Sequence, residues 1–263
     1  MSGVNRYLAV AAAALALASF AGAQPPGPAQ LPRTPKQAAP FDLTGQWISI
    51  VTEDWRFRMV TPAKGDYPGI VLTPAGKAIA DNWDPAKDEA EGNQCKSYGA
   101  AALMRVPGRI RITWQDEQTL KIETDAGEQT RLLHFGPVAD PAEPTWQGVS
   151  RAEWVPSQAA AFGPPAMSDG LKVVTTRMKE GYLRKNGVPY SESAVVTEYY
   201  DRLSMFGNDY LQVVTVVVDP KYLTGPFVVS NQFKREPDGS KWKPTPCQTD
   251  PPVGTLQRSP YLP

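Results

Sequence analysis

Three kinds of side chain in this 263-residue sequence could carry out chemistry at neutral pH: one histidine, two cysteines, and a few carboxylates among aromatic residues. His134 matters because an imidazole is the side chain whose ordinary pKa lies nearest neutrality. It stands in the apolar run Leu132–Phe135, so two roles for it are open: a general acid or base, or a hydrogen-bonded histidine of the core. A zinc site needs several histidine or cysteine ligands, and we therefore expect no metal.

Glu53 is the second candidate for acid or base catalysis. Apolar and polar residues alternate over Gln46–Val60, which predicts one long strand. On that strand Glu53 shares a face with Trp55 and Phe57, and a carboxylate among aromatic rings can exchange protons with a substrate. Trp55 is then a candidate ligand contact. A bulge in the strand would instead turn Glu53 towards solvent, and both arrangements are open.

Two neighbouring segments contain candidate ligand-binding residues. Gly181–Ser191 combines cations and aromatic rings with turn-forming residues, and such a loop beside a cavity can hold a carboxylate, a sugar or a planar molecule. Arg184 and Tyr190 are its best candidates, although turn formation explains much of the composition. In the strand that follows, Glu198 and Tyr199 lie on opposite faces, so one of them points inward.

The first 23 residues predict export. Arg6 precedes a run of about 13 apolar residues, small residues follow as far as Ala23, and this order is typical of a secretory signal peptide. The apolar run is shorter than the roughly 20 residues that a membrane-spanning helix needs. We therefore expect cleavage near Ala23 and a periplasmic or secreted mature chain without a membrane span.

Export bears on the state of the two cysteines, Cys95 and Cys247. In an oxidising compartment a lone pair of cysteines is expected to form a disulfide, which removes both thiols from the lists of nucleophiles and metal ligands. The bridge would close a loop of about 150 residues and, in a chain-entropy treatment, stabilise the fold by up to about 5 kcal/mol.

Charge and motifs exclude several functional classes. Lysine plus arginine and aspartate plus glutamate both total 27, so no basic surface for nucleic acid is indicated. The sequence contains no phosphate-binding loop, dinucleotide fingerprint, haem-attachment motif or Gly-x-Ser-x-Gly elbow. We expect no cofactor and no nucleic-acid partner, and the sequence leaves the oligomeric state open.

The pattern along the chain is mostly strand and turn. Residues 24–40 are predicted to be a Pro-rich linker, residues 41–243 a folded domain, and residues 244–263 a Pro-rich tail. Thr73 and Pro74 begin a predicted helical insertion near 73–94. Strands rich in Val, Thr, Tyr and Phe are predicted at 46–60, 109–114, 119–124, 129–135, 145–154, 171–178, 194–203, 210–218 and 226–234.

Successive strands with few helices favour a barrel closed on itself. The opening Gly45-Gln46-Trp47 resembles the Gly-x-Trp start of lipocalin-like (calycin) barrels. In that family the tryptophan plugs the floor of the barrel and packs against a basic residue near the last strand, here Lys234 or Arg235. We therefore predict an all-β fold, an antiparallel meander closing as a lipocalin-like barrel of about nine strands, with a short helical insertion after strand one.

A second resemblance extends over most of the domain. The segments Glu53–Arg58, Gly181–Gly187 and Thr197–Tyr199 are similar to those of an uncharacterised family of secreted proteobacterial proteins. That resemblance implies no activity.

Three functional hypotheses follow. The first is an exported protein that binds a small apolar or aromatic molecule in the cavity of the barrel. The second is a cofactor-independent periplasmic enzyme, an acid/base lyase, isomerase or hydrolase, that uses Glu53 or His134. Arg184 and Tyr190 would orient its substrate. The third is an envelope accessory protein without a small ligand. An enclosed cavity larger than about 300 Å³ and lined by these residues would separate the first two from the third, and a filled interior would exclude both ligand hypotheses.

Overall fold

The structure, a computed structural model, describes residues 33–156 and 169–249. The predicted signal peptide, most of the predicted linker and the end of the tail lie outside the described residues. The strands in the described part are β1 Gly45–Ile50, β2 Arg109–Trp114, β3 Thr119–Thr124, β4 Thr130–His134, β5 Val149–Pro156, β6 Asp169–Thr176, β7 Gly181–Arg184, β8 Val188–Tyr190, β9 Val195–Met205, β10 Asn208–Val218 and β11 Phe227–Glu236. The helices there are α1 Trp55–Arg58, α2 Pro74–Asp81 and α3 Pro85–Ala90, with two 3₁₀ turns at Gln94–Tyr98 and Leu103–Arg105.

Nine strands form a closed barrel in the order β1-β2-β3-β4-β5-β6-β9-β10-β11, with β11 paired back to β1. The other two, β7 and β8, form a separate hairpin. The prediction of an all-β barrel of about nine strands is therefore confirmed. β2 and β3 have the predicted bounds, because clear alternation on both sides of one short turn defines their hairpin.

One pair of neighbouring strands, β4 and β5, is parallel, whereas the sequence pattern predicted an antiparallel meander throughout. A closed ring in which every neighbour runs antiparallel needs an even number of strands. Nine strands therefore require at least one parallel pair. Residues 135–148 supply it, because they carry the chain back along the barrel before β5 begins.

The first strand is much shorter than predicted. β1 ends at Ile50, and the chain leaves the sheet through Asp54, whose backbone is left-handed (φ 52°), to form the single turn of α1. The alternation of residues continues, but β2 begins at Arg109, opposite Ile48, so a longer first strand would have a partner only on its β11 side. The prediction of one long strand carrying Glu53 on its aromatic face is wrong, because the chain leaves the sheet here.

The barrel interior is filled by side chains. Trp47 is fully buried and donates its indole N–H to the carbonyl of Leu43 at 3.0 Å. The Arg235 guanidinium lies 5.3 Å from the centre of the Trp47 ring. This is the contact that the lipocalin resemblance implies, although membership of that family stays a prediction. The whole cluster comprises Leu43, Trp47, Met104, Ile110, Ile112, Leu120, Ile122, Leu133, Phe135, Leu171, Val173, Tyr200, Leu211, Val213 and Phe233.

A cap covers the end of the barrel at which β1 ends; we use this name for residues 51–108, 177–194 and 219–226. α2 begins where the sequence predicted it, with Pro74 at its first position and the Thr73 hydroxyl accepting from the Gly76 N–H. The Thr73 N–H donates to the Tyr222 carbonyl, which joins the helices to the loop after β10. A second hydrophobic cluster lies under the cap and comprises Ile70, Ala80, Ala100, Ala101, Met178, Leu183, Val188, Tyr190, Ala194, Val196, Val217, Leu223 and Phe227.

Cys95 and Cys247 form the predicted disulfide, which spans 152 residues of sequence. It ties the 3₁₀ turn Gln94–Tyr98 of the cap to the tail. Thr245 of the tail also pairs with Ala126 in the turn after β3. The tail is therefore held against the cap end of the barrel by a covalent bond and a short backbone pairing.

Candidate functional site

A buried ion pair crosses the barrel interior between β4 and β9. Arg131 Nη2 and Nη1 lie 2.6 and 3.0 Å from the carboxylate oxygens of Glu198, and neither side chain is exposed. Arg131 also donates to the hydroxyls of Ser150 and Thr175. Burial alone would lower the pKa of Arg131, but the Glu198 carboxylate outweighs it and holds that pKa above its ordinary value. Glu198 therefore points inward and is bound by another side chain.

The interior around this ion pair has no room for a ligand. Val173 pairs with Glu198, while Leu133 and Tyr200 follow Arg131 and Glu198 by two residues on the same strand faces; these three have no accessible surface. A cavity large enough for water would expose part of at least one of them, so these side chains are in direct contact with their neighbours. Tyr199 lies on the other face of β9 and is half-buried on the outside of the barrel.

Tyr190 is fully buried in the cluster under the cap. Its hydroxyl is packed so closely against Gly99 and Gly181 that a methyl group at either glycine would overlap it. Burial raises the pKa of this hydroxyl above its ordinary value. Tyr190 is therefore part of the core and does not face a ligand-sized cavity with Arg184.

His134 is the last residue of β4 and lines an open cleft of about 330 Å³ between that strand and the segment leading to β5. The side chain is half-buried. Burial is the main cause that lowers its pKa; Arg151 acts in the same direction and Asp116 opposes it. Because β4 runs away from the cap, His134 and Glu53 lie at opposite ends of the barrel and cannot act on one small substrate.

Glu53 and Trp55 do not form the aromatic site that the sequence suggested. Trp55 is 64% exposed at the start of α1. The Glu53 carboxylate accepts hydrogen bonds from Arg58 Nη1 at 3.2 Å and from the Asn231 side-chain amide at 3.3 Å. It also accepts a hydrogen bond from the Thr52 hydroxyl, so its neighbours are a cation, an amide and a hydroxyl.

Three arginines meet in the cap, and only one of them, Arg184, was a candidate from the sequence. Arg58 comes from α1, Arg105 from the second 3₁₀ turn and Arg184 from the end of β7. Their side chains are 0%, 6% and 3% exposed, respectively. Arginine is seldom buried so fully unless it is paired, so the partners of these side chains decide what the cluster can do.

Two carboxylates, Glu53 and Asp54, belong to this cluster. Arg58 Nη1 lies 3.2 Å from Glu53 Oε1, and Arg105 Nη1 lies 2.9 Å from Asp54 Oδ2. Arg184 Nη2 lies 3.9 Å from the same Asp54 oxygen. Three guanidinium groups against two carboxylates leave the cluster with a net charge of one positive unit.

The arginines do not use all of their hydrogen-bond donors. Arg58 Nε donates to the Arg105 carbonyl, Arg184 Nη1 donates to the Pro68 carbonyl, and the Arg184 guanidinium stacks 4.1 Å from the Phe57 ring centre. Arg58 Nη2, Arg105 Nη2 and Arg184 Nε, however, are buried and have no hydrogen-bond partner among the described residues. A buried donor without an acceptor costs about 1–3 kcal/mol, and more when it is charged.

All three arginines border one cleft, which we call the arginine cleft. Ser97, Leu183 and Lys185 also line it. Its volume is about 20 Å³, roughly the room that one water molecule or one oxygen atom of an anion needs. The cleft can therefore receive part of a charged group, but not a whole organic molecule.

The surroundings weaken proton binding by two of these arginines. Burial is the main cause that lowers the pKa of Arg184, to about 10, and the nearby Arg105 adds to this effect. Burial likewise lowers the pKa of Arg58; Arg105 adds to the effect, while Glu53 and Asp54 oppose it. Both groups remain cationic at neutral pH. A bound anion would stabilise their charged forms, so the cleft is electrostatically suited to a negative group.

Arg58 and Arg105 were missing from the sequence candidates. The alternation over residues 46–60 predicted Arg58 on a solvated face, and only the end of β1 at Ile50 turns it inward. Arg105 is the one charged residue in the apolar run Ala100–Val106. An isolated charge in such a run is a signal of a buried polar site that could have identified it.

Comparison of the chain with protein-family models, with curated proteins and with solved structures finds no match. Across residues 33–156 and 169–249, no three His, Cys, Asp or Glu side chains are grouped as a metal ion requires. No helix in those ranges has the length and apolar character needed to cross a membrane. The geometry of the arginine cleft is what a proposal for function has to explain.

Proposed function

We propose that this protein is an exported binding protein for a small molecule with an anionic group, and that the arginine cleft holds that group. The observation that carries the proposal is that three buried donors without partners, on Arg58, Arg105 and Arg184, belong to side chains lining one cleft. Anionic oxygens are acceptors of the kind that these donors lack, and because the donor nitrogens have almost no accessible surface, a side chain of the cluster must move before an anion reaches them. Hydrogen bonds to ionised groups are roughly twice as strong as those between neutral groups.

A carboxylate or a phosphate suits this cluster, because guanidinium groups present planar forks of N–H donors to such oxygens. The small volume of the cleft leaves the rest of the ligand outside it. Trp55 is the first residue of α1 and Met59 is the residue after its end; they lie one helical turn apart and are exposed, so they offer surface for an apolar or aromatic body. The proposal keeps the apolar or aromatic ligand of the sequence analysis and moves it from the barrel interior to the cap.

Export is part of the same proposal. A disulfide between the only two cysteines supports it, because disulfides persist mainly in oxidising compartments. The predicted signal peptide lies outside the described residues, so periplasmic or secreted location stays a prediction that amino-terminal sequencing of the mature protein would test.

Titration calorimetry of the mature chain with benzoate, acetate and inorganic phosphate tests the binding proposal. We expect binding of at least one of them, weakened by about 30-fold, or about 2 kcal/mol, in Arg105→Gln, because a buried charged partner is lost. Arg151→Gln is the matched control, since Arg151 pairs with Asp140 on the surface. Thermal melting of both variants separates loss of binding from loss of fold. Equal affinities for the two variants would contradict the proposal, and so would the absence of binding both by the wild type and by every cleft variant described below.

A cofactor-independent enzyme that uses Glu53 is the second candidate. One observation favours it: Glu53 accepts a hydrogen bond from Arg58, so its carboxylate lies beside the cleft. The change Glu53→Gln distinguishes the two functions, because an enzyme would lose turnover of a bound molecule while a binding protein would release it unchanged. Mass spectrometry of the ligand after incubation provides the measurement.

A further inference from the structure

We propose that Asp54 is an internal competitor for the arginine cleft: its carboxylate occupies the place that the anionic group of the ligand takes, and binding exchanges one for the other. This inference rests on the proposed function, because it concerns the same three arginines.

The position of the Asp54 carboxylate is that of a bound anion. Its Oδ2 atom lies 2.9 Å from Arg105 Nη1 and 3.9 Å from Arg184 Nη2, so one oxygen faces two of the arginines at once. The Asp54 side chain is 32% exposed, whereas the arginine side chains it contacts are almost completely buried. It therefore enters the cluster from the solvent, as a ligand would.

The local structure around Asp54 does not explain this position. Asp54 is the residue before α1, where an aspartate normally accepts a hydrogen bond from a backbone N–H of the first turn. Its side chain makes no such bond, and its backbone is left-handed, with φ 52° and ψ 21°. After glycine, aspartate is one of the residues that adopt left-handed backbone most readily, so this backbone is accessible to Asp54 without a functional reason. The carboxylate faces the arginines and leaves the helix uncapped.

The contacts of this segment allow Asp54 to move. α1 is a single turn, and Trp55 within it and Met59 and Val60 just after it are 64%, 58% and 41% exposed. A segment with few buried contacts opens at a low free-energy cost. Arg58 is buried and holds the other side of the turn, so the exchange requires only that the Asp54 side chain turns outward.

An internal competitor makes the site selective. A carboxylate attached to the chain beside its cations has an effective concentration of about millimolar or higher. Weakly bound free anions then fail to displace it. A ligand succeeds when additional contacts, such as an apolar body on the exposed surface of α1, add to the binding of its anionic group.

The test measures the affinity of the mature full-length chain for benzoate and for inorganic phosphate by titration calorimetry. We expect Asp54→Asn to bind at least one of them about tenfold more tightly than the wild type, a change of about 1.4 kcal/mol. Asparagine has the same size and tolerates left-handed backbone, so the backbone should keep its geometry. Arg105 loses its counterion, so the free energy of unfolding should fall, and thermal melting measures that loss separately from binding. Asp140→Asn removes a carboxylate at a surface pair with Arg151 and should leave the affinity unchanged.

A second variant, Asp54→Gly, covers the case in which the asparagine side-chain oxygen still occupies the cleft. Glycine accepts a φ of 52° without strain and has no acceptor to place there. Tighter binding by either variant, or binding by a variant alone, supports the competitor. If the wild type binds, Arg105→Gln does not, and both Asp54 variants bind equally or more weakly, the competitor role is overturned and the proposed function stands. If neither the wild type nor the variants bind, both are overturned.

Discussion

The guanidinium of Arg131 and the carboxylate of Glu198 form two hydrogen bonds inside the barrel, at a place where neither side chain has accessible surface. A buried pair of this kind is expensive to desolvate, so its net contribution to stability is small. Removing one partner is different, because the other charge then stays buried without compensation. The pair joins β4 to β9 across the barrel and so helps to define which strand faces point inward.

We expect Glu198→Gln to lower the free energy of unfolding by about 3–5 kcal/mol, because Arg131 keeps its charge and loses its counterion. Urea denaturation, monitored by tryptophan fluorescence, measures the free energy of unfolding. The exposed pair Arg151–Asp140 provides the control, and Asp140→Asn should cost less than about 1 kcal/mol. Replacing both members of the buried pair by methionine should recover most of the loss. Equal losses of stability in Glu198→Gln and Asp140→Asn would show that water reaches the Arg131–Glu198 pair.

We expect replacement of both Cys95 and Cys247 by alanine to lower the free energy of unfolding by about 2–5 kcal/mol. The physical reason is that a span of 152 residues is no longer closed in the unfolded chain. Urea denaturation of the oxidised wild type and the double variant gives the difference. Reductant should bring the wild type to the stability of the double variant and leave the double variant unchanged. A double variant as stable as the oxidised wild type would contradict this.

We expect the affinity for benzoate to fall as the pH rises through about 10. Burial, with a contribution from Arg105, lowers the pKa of Arg184 to about 10, so the free protein loses this charge there. A bound anion favours protonated Arg184 and raises its pKa, so above about pH 10 the affinity falls by up to tenfold per pH unit. Calorimetry between about pH 9 and pH 11 measures this, and Arg184→Gln should bind weakly with a flat profile over that range. A flat profile for the wild type would argue against Arg184 as a ligand contact.

We expect Gly187→Ala to destabilise the fold more than Gly207→Ala. Both glycines have left-handed backbone, with φ 81° and 71°, which costs an alanine roughly 1–2 kcal/mol. A β-carbon at Gly187 would lie 2.2 Å from the nearest atom of Trp83, whereas none lies within 4 Å at Gly207. Overpacking against Trp83 should therefore add about 1–3 kcal/mol to the loss. Thermal melting compares the two, and equal losses would mean that the hairpin β7–β8 does not pack on Trp83.

The hairpin β2–β3 and the disulfide show which features local patterns predict. The bounds Arg109–Trp114 and Thr119–Thr124 follow from alternation on both sides of a short turn, and that information lies within sixteen residues. The start of α2 follows in the same way from Thr73 and Pro74. The cysteine pairing followed from there being only two cysteines in a chain that is predicted to be exported.

The sequence pattern was sufficient to predict that one pair of strands is parallel, but our prediction did not include such a pair. A count of nine strands together with closure already requires one parallel pair. Its position, however, depends on where the chain crosses from one end of the barrel to the other, which strand propensity does not specify.

The sequence by itself determined the all-β class, most strand positions, the helical insertion and the disulfide, because each depends on short-range alternation, on capping residues or on cysteine number. The tertiary structure decided where β1 ends and what the polar residues do. β1 has no β2 partner beyond Ile48 and leaves the sheet after Ile50, so Arg58 turns into the cap and Glu53 leaves its predicted face. Arg58, Arg105 and Arg184 come from three separate segments, and only folding brings them to one cleft with Asp54.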